Sequence, residues 1–462
     1  MNIGNKISEM TPEVVEHHRL RREEMRTDLL RPLIKISIWG KLWIAFLIAV
    51  FLIGCYAYYL QLQHGLAVTN LRDYASWGIY ISNFVFFVAI SLVGALISSV
   101  LRLTHFEWYR PLTRIAEIIA VAAISFAGLI IIVDMGRPDR ILNLFIHGRI
   151  QSPILWDVIV VTTYLVTGVL LLYFPMLPGI AICRDRLTDK PKWQRWMYKT
   201  LALGWNGSDE QWKIMKRCIN ILCVLVIPLA VSIHTVTAWL FATTLRPGWN
   251  STNFGPYFVS GAFLAGTAAV ILTMAIFRKA YKLQKYITEV HFNNMGKLLV
   301  FLALIYAYFN LNEYMVPAYK MEEAEGRLLN DLFVGKTSAL FWTAQLLGMV
   351  IPSVLLLFRW ARRPGPLSII SFFVVVMAWV KRYLIVTPIL LHPYLPIQNV
   401  PDNWTHYFPS WIEIAIVSAS LAGVMLIVTI FSRLFPIIAI WEALEGEGID
   451  LEEMDHINHE KQ

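Results

Sequence analysis

Charge is scarce in this chain, and so is cysteine. Asp, Glu, Lys and Arg make up 16% of the 462 residues, against roughly 25% in ordinary soluble domains. The length would otherwise allow two or three soluble domains; this poverty of charge argues against them. The four cysteines, Cys55, Cys183, Cys218 and Cys223, form no CxxC and no CxxCH, so iron–sulfur clusters and c-type haem have no ligand pattern here. Cys218 and Cys223, five apart at one end of an apolar stretch, read as packing residues. Histidine is nearly missing from the apolar segments: only His234 falls well inside one, whereas a haem held between helices wants facing imidazoles. The residues before Leu42 are polar and charged, unlike a cleavable signal, so the first span is expected to be a retained anchor.

Hydrocarbon is what abounds: 57% of the residues are hydrophobic. Ten stretches reach membrane-spanning length, at 42–62, 79–101, 114–134, 154–175, 218–241, 255–277, 298–316, 338–358, 367–391 and 411–433. A helix needs roughly 20 apolar residues to cross the hydrocarbon core, whereas a barrel strand shows about 10 alternating ones. These runs are continuous, so an all-α integral membrane protein is expected. The organisation follows: a cytoplasmic arm at 1–41, a transmembrane domain at 42–436 and an acidic cytoplasmic tail at 437–462.

Lys and Arg set the orientation. With both termini cytoplasmic, inner segments hold 30 of the 40 basic residues and outer loops hold 8. The net charge of +8 thereby reflects topology and carries no nucleic-acid signal. Thr11-Pro12-Glu13 reads as a helix start. The inner loop 176–217 is expected to form a surface helix, with Trp193, Trp196, Trp205 and Trp212 near the interface. Outer loops 135–153, 317–337 and 392–410 are structured enough to suggest a docking surface for a partner. A weak repeat relates Gly78-x-Tyr80, Arg102 and Asp134 of spans two and three to Gly255-x-Tyr257, Arg278 and Glu313 of spans six and seven. Spans two to five would then match spans six to nine as two four-helix bundles.

Most ionisable residues of the spans gather at one depth. Tyr80 and Asn83 lie in the first outer turns of span two, Asp134 ends span three, Asp157 opens span four behind Ser152-Pro153, and Glu413 opens span ten. At about 1.5 Å per residue, His234 lies about 10 Å and Arg382 about 14 Å below the outer surface. Glu313 ends span seven, and Lys381 adjoins Arg382. Glu117 is the main ionisable group of the inner halves. Asp134, at a helix C-terminus where the dipole disfavours a carboxylate, needs a partner, and Arg137 is close in sequence. Lys381 and Arg382 would be costly facing lipid and could pair with Glu313 or Asp134.

Carboxylates, an imidazole, amides and a buried cation in the outer third of a bilayer suit quinone chemistry. A quinone pocket needs apolar walls, donors to two carbonyls and a tuned acid or base. Asp134, His234 and Asp157 are the candidate proton carriers. Tyr80, Asn83, Arg137 and Trp156 are the candidate groups about the ring. Glu117, Glu313, Lys381, Arg382 and Glu413 are candidates for a charge pair or proton route. Electrons would pass to or from another subunit on the outer face.

The stretches Trp77-Gly78-Ile79-Tyr80-Ile81-Ser82-Asn83-Phe84, Met135-Gly136-Arg137-Pro138, Ser152-Pro153-Ile154-Leu155-Trp156-Asp157-Val158 and Arg246-Pro247-Gly248-Trp249 resemble the NrfD-like (polysulfide-reductase membrane-subunit) family. The longer ten-helix members are most similar, including the quinol-oxidising subunits of alternative complex III. The likeness covers roughly residues 40–435. It implies two four-helix bundles plus extra helices, no haem and no iron–sulfur cluster in this chain, and a pocket for menaquinone or ubiquinone near the outer face. It also implies a peripheral iron–sulfur partner, with a multihaem cytochrome or molybdopterin subunit as further candidates, in a prokaryotic inner membrane. Proton translocation is proposed for some members. Where the alternative complex III subunits usually carry His before Met-Gly-Arg-Pro, this chain carries Asp134.

The expectation is therefore a quinone-binding membrane subunit of a respiratory oxidoreductase, surrounded by lipid. The rival is a secondary transporter or proton conductor without a redox role. Against it, the polar residues lie off-centre and no paired Gly- or Pro-broken helices are apparent at mid-depth.

Overall fold

The structure, a computed structural model, describes residues 12–34, 36–104, 111–395 and 397–446. Thr11, expected as a helix cap, and the acidic stretch 447–462 lie outside the described residues. The face bearing loop 135–153 is termed outer, following the basic-residue count.

The helices are α1 (Pro12–Ile34), α2 (Ile38–His64), α3 (Ile79–Leu103), α4 (Thr113–Asp134), α5 (Pro153–Tyr173), α6 (Leu177–Arg186), α7 (Lys192–Leu201), α8 (Asp209–Ala242), α9 (Phe254–Ala280), α10 (Glu289–Lys320), α11 (Glu323–Phe333), α12 (Ser338–Gln345), α13 (Ile351–Leu355), α14 (Pro364–Leu390), α15 (Trp411–Leu434) and α16 (Ile440–Gly446). No strand occurs among the described residues. Ten helical segments are long and apolar enough to cross a membrane: α2, α3, α4, α5 with α6, α8, α9, α10, α12 with α13, α14 and α15.

Local chemistry explains the helix ends. Ser37 caps α2 through the Gly40 amide at 3.1 Å, Pro153 occupies the first turn of α5 where no amide donor is needed, and Ser410 with Glu413 forms a capping box on α15.

Helices α3, α4, α5 and α8 pack as one four-helix bundle, and α9, α10, α12–α13 and α14 as a second. They meet along α3 and α9, while α2 and α15 pair and lean on α4. Of the apolar stretch in α3, 83% is buried, against 11% in α2. So α3 is the axis of the molecule, and α2 faces lipid. Small residues permit the close crossings: a Cβ on Gly94 would lie 2.2 Å from the Ala116 carbonyl oxygen, and one on Gly266 2.4 Å from Val93.

Three expectations are corrected. Trp205 and Trp212 are not interfacial; both are buried, edge-to-face at 5.1 Å, and Trp212 meets Trp441. Trp193 and Trp196 of α7 are exposed. Residues 437–446 are not tail: Ile438, Trp441 and Leu444 are buried against the inner end of the first bundle. Span eight is not continuous α-helix, for Leu346–Val350 forms a π-helical turn near its middle. Helix α1 lies across the inner surface, where Glu23 meets Arg186 at 2.8 Å and Glu24 meets Lys285. It thereby ties the first bundle to the loop after α9.

Candidate functional site

The outer polar residues turn inward, but they form separate clusters. In the first, Tyr80 is fully buried and donates to Oε1 of Gln61 at 2.8 Å. Gln61 in turn donates to the Val133 carbonyl at 2.9 Å. Asp134, the next residue, is half-buried, and its Oδ1 is buried without a hydrogen-bond partner. The expected Asp134–Arg137 pair does not form: Arg137 is exposed and bonds Asp139 at 3.0–3.1 Å. Pro138 starts a short helical turn that aims both side chains outward. Glu413 accepts from Tyr407 (2.5 Å), the Ser410 amide (2.9 Å) and the Asn70 amide (2.9 Å). It ties two outer loops to α15, and its acceptors are spent there.

The second cluster links α5 and α8. Thr237 donates to Oδ1 of buried Asp157 at 2.6 Å. His234, one turn earlier on α8, is wholly buried and neither ring nitrogen is bonded. Its ring lies 5.9 Å from that of Phe258. Trp156 turns away, its indole donating to the Ile150 carbonyl. Asn83 is engaged between helices: its amide donates to Ser420 (2.8 Å) and accepts from Trp379 (3.2 Å). In this arrangement it has become a clamp between α3, α14 and α15.

The third cluster belongs to the second bundle. Glu313 accepts from Ser251 (2.7 Å) and Asn253 (3.2 Å). Lys381 donates to the Tyr314 hydroxyl at 2.8 Å and sits over the rings of Tyr314, Phe341 and Tyr257. Arg382 donates to the Phe258 carbonyl at 3.2 Å and stacks on that ring at 4.4 Å. Neither cation forms an ion pair with Glu313 or Asp134, as the sequence had suggested. Aromatic faces stabilise the two charges instead.

Glu117 lies at the inner end, in a fourth cluster. Arg102 bridges Glu117 (2.9 Å) and Glu442 (2.7 Å), and Ser98 donates to Glu117 at 2.5 Å. Arg114 donates to the carbonyls of Pro436 and Pro175. The apolar turns of α4 between Glu117 and Asp134 separate this cluster from the outer ones.

A cleft of about 640 Å³ opens between α8, α9 and α10, walled by Trp239, Phe254, Phe263 and Phe309 with Ser251 and Thr252 among its lining residues. None of the candidate proton-carrying, ring-binding or charge-pair residues lines it; Gly255 of the repeat does. Sequence reading also missed Gln61, Thr237, Ser251, Tyr407, Ser420, Glu325 and Glu442. Hydroxyl and amide residues are common in spans, and Glu325 and Glu442 lie in segments read as loop or tail, so no signal set them apart.

These features define a polytopic membrane protein of two four-helix bundles, with titratable side chains buried near one face. The chain belongs to the NrfD polysulphide reductase family, which it matches over residues 67–392. It is 30% identical to a protein of Halobacterium salinarum named, provisionally, as a dimethyl sulfoxide reductase membrane subunit, over 71% of this chain and 73% of that one. It is 22% identical to a selenate reductase subunit of Mesobacillus selenatarsenatis, over 86% and 94%. With the menaquinone reductase integral membrane subunit of Nitratidesulfovibrio vulgaris it shares 24% identity, over 86% and 91%.

Proposed function

We propose that this chain is the quinone-interacting membrane subunit of a respiratory oxidoreductase complex, exchanging electrons between a quinone pool and a peripheral iron–sulfur or multihaem subunit on the outer face. The relatives support the class, since one is named as a menaquinone reductase subunit and another, from Archaeoglobus fulgidus, as a menaquinol oxidoreductase subunit. The observation that carries the site is the bare, buried Oδ1 of Asp134 beside Tyr80 and Gln61. A carboxylate oxygen without a donor in a greasy setting is placed to accept a proton from a hydroxyl. Asp157 and His234 form the second proton-carrying pair, with Thr237 fixing the carboxylate. The quinone is menaquinone or ubiquinone, the membrane the prokaryotic inner membrane, and both termini cytoplasmic. Arg382 and Glu313 would set the local potential.

The test is Asp134→Asn combined with His234→Ala in the intact complex. Quinol-dependent turnover is expected to fall about 10²-fold or more, the usual contribution of a positioned acid or base. Unchanged turnover in an assembled complex would show that protons leave elsewhere. The cleft between α8, α9 and α10 supports a second position for the ring, because it has the volume and aromatic walls that such a ligand needs. A Thr235→Trp substitution, which narrows that cleft, separates the two: loss of turnover there, with Asp134→Asn silent, favours the cleft.

A further inference from the structure

Beneath helix α11, at the outer end of the second bundle, lies a small cavity of about 30 Å³ lined by Glu313, Glu325, Tyr257, Tyr314, Pro317 and leucines. We infer that this cavity is a binding site for a small monovalent cation, sodium or a proton, held by oxygen atoms alone.

Four observations carry the inference. The volume suits one bound water or a monatomic ion and excludes anything larger. Two carboxylates face it, and both are buried: Glu313 is 6% exposed and Glu325 3%. Oε2 of Glu325 has no hydrogen-bond partner, although its Oε1 meets the Asn250 amide at 3.4 Å. The hydroxyl of Tyr257, 1% exposed, has only the phenols of Tyr306 and Tyr314 within reach. An unpartnered, buried carboxylate oxygen on a residue lining a cavity calls for a ligand. Finally, Pro317 stands four residues after Glu313 in α10. Having no amide hydrogen, it withholds the helical donor that the Glu313 carbonyl would otherwise bond. Carboxylate and phenol, with this freed carbonyl one turn away, form a hard, all-oxygen donor set. Charge agrees. Lys381 is turned to the Tyr314 hydroxyl and Arg382 to the Phe258 carbonyl and ring, so neither cation forms an ion pair with the two carboxylates.

The site shares only Glu313 with the proposed quinone machinery, and its test varies Glu325 and Tyr257 and reads thermal stability, not quinol turnover. Purified full-length protein is unfolded by heat in sodium chloride and in choline chloride at equal ionic strength. Sodium is expected to raise Tm by about 2 °C or more, and Glu325→Gln to abolish the rise. Tyr257→Phe, which keeps the ring, is expected to weaken the apparent sodium affinity about tenfold. If no alkali ion acts, a proton is the occupant provided that acidification changes a carboxylic-acid infrared band that Glu325→Gln removes. Absence of both responses in folded protein overturns the proposal.

Discussion

Single side chains at the two ends of this protein carry unequal energetic weight. At the inner end, Glu442 and Glu117 share Arg102 in a nearly dry setting, with side chains 8% exposed or less. Removing one member of such a group strands the other charges, at about 3–5 kcal/mol. Glu442→Ala is therefore expected to lower the thermal unfolding midpoint strongly, whereas Glu323→Ala on exposed α11 leaves it unmoved. At the outer end, Thr237→Val deprives Asp157 of the hydroxyl that donates to it, and a stranded buried acceptor costs about 1–3 kcal/mol. All three substitutions are checked by thermal unfolding of purified protein. The positions of Asp134, Asp157, His234, Glu313 and Arg382 along their helices were legible from residue counting. Their partners were not, because a hydrogen bond such as Asn83–Ser420 joins residues 337 apart in sequence.

Among the elements, α3 decides the packing and α1 decides how the inner face is closed. Gly94 brings α3 against the backbone of α4. A leucine there has no room, since the obstacle is a carbonyl of a neighbouring helix; Gly94→Leu is expected to abolish assembly, seen as aggregation in size-exclusion chromatography. The contacts of α1 are of another kind. Lys285 and Arg21 beside Glu24 hold its carboxyl below the usual range. A carboxyl with a lowered folded value stabilises above its unfolded range and loses that stabilisation as pH falls through the folded value. The contacts are exposed, so salt screens them, and proteolysis near residue 20 is expected to quicken in acid or high salt. The ten spans were visible as apolar runs because length and hydropathy alone set them. The burial of α16 was not, since its sequence is as acidic as a solvated tail and only docking on Arg102 and Trp212 makes it core.

At the scale of the whole molecule, the orientation rests on the distribution of Lys and Arg and is open to a direct test. Single cysteines at exposed Ile150 and Leu203, in a background lacking the natural four, are expected to react oppositely with a membrane-impermeant thiol reagent added to spheroplasts: Ile150→Cys labelled, Leu203→Cys protected. By itself the sequence determined the all-α membrane class and the ten spans. Both follow from local composition and the length of the apolar runs, which lipid enforces by excluding unpaired backbone and charge; the two bundles were implied by the motif resemblance. Only the tertiary structure decided that Arg137 points to solvent, that Asn83 is a clamp, that Lys381 and Arg382 rest on aromatic rings, and that Glu313 and Glu325 face one cavity. Those outcomes depend on which faces of distant helices meet, and the rotation of a helix about its own axis is set by its neighbours.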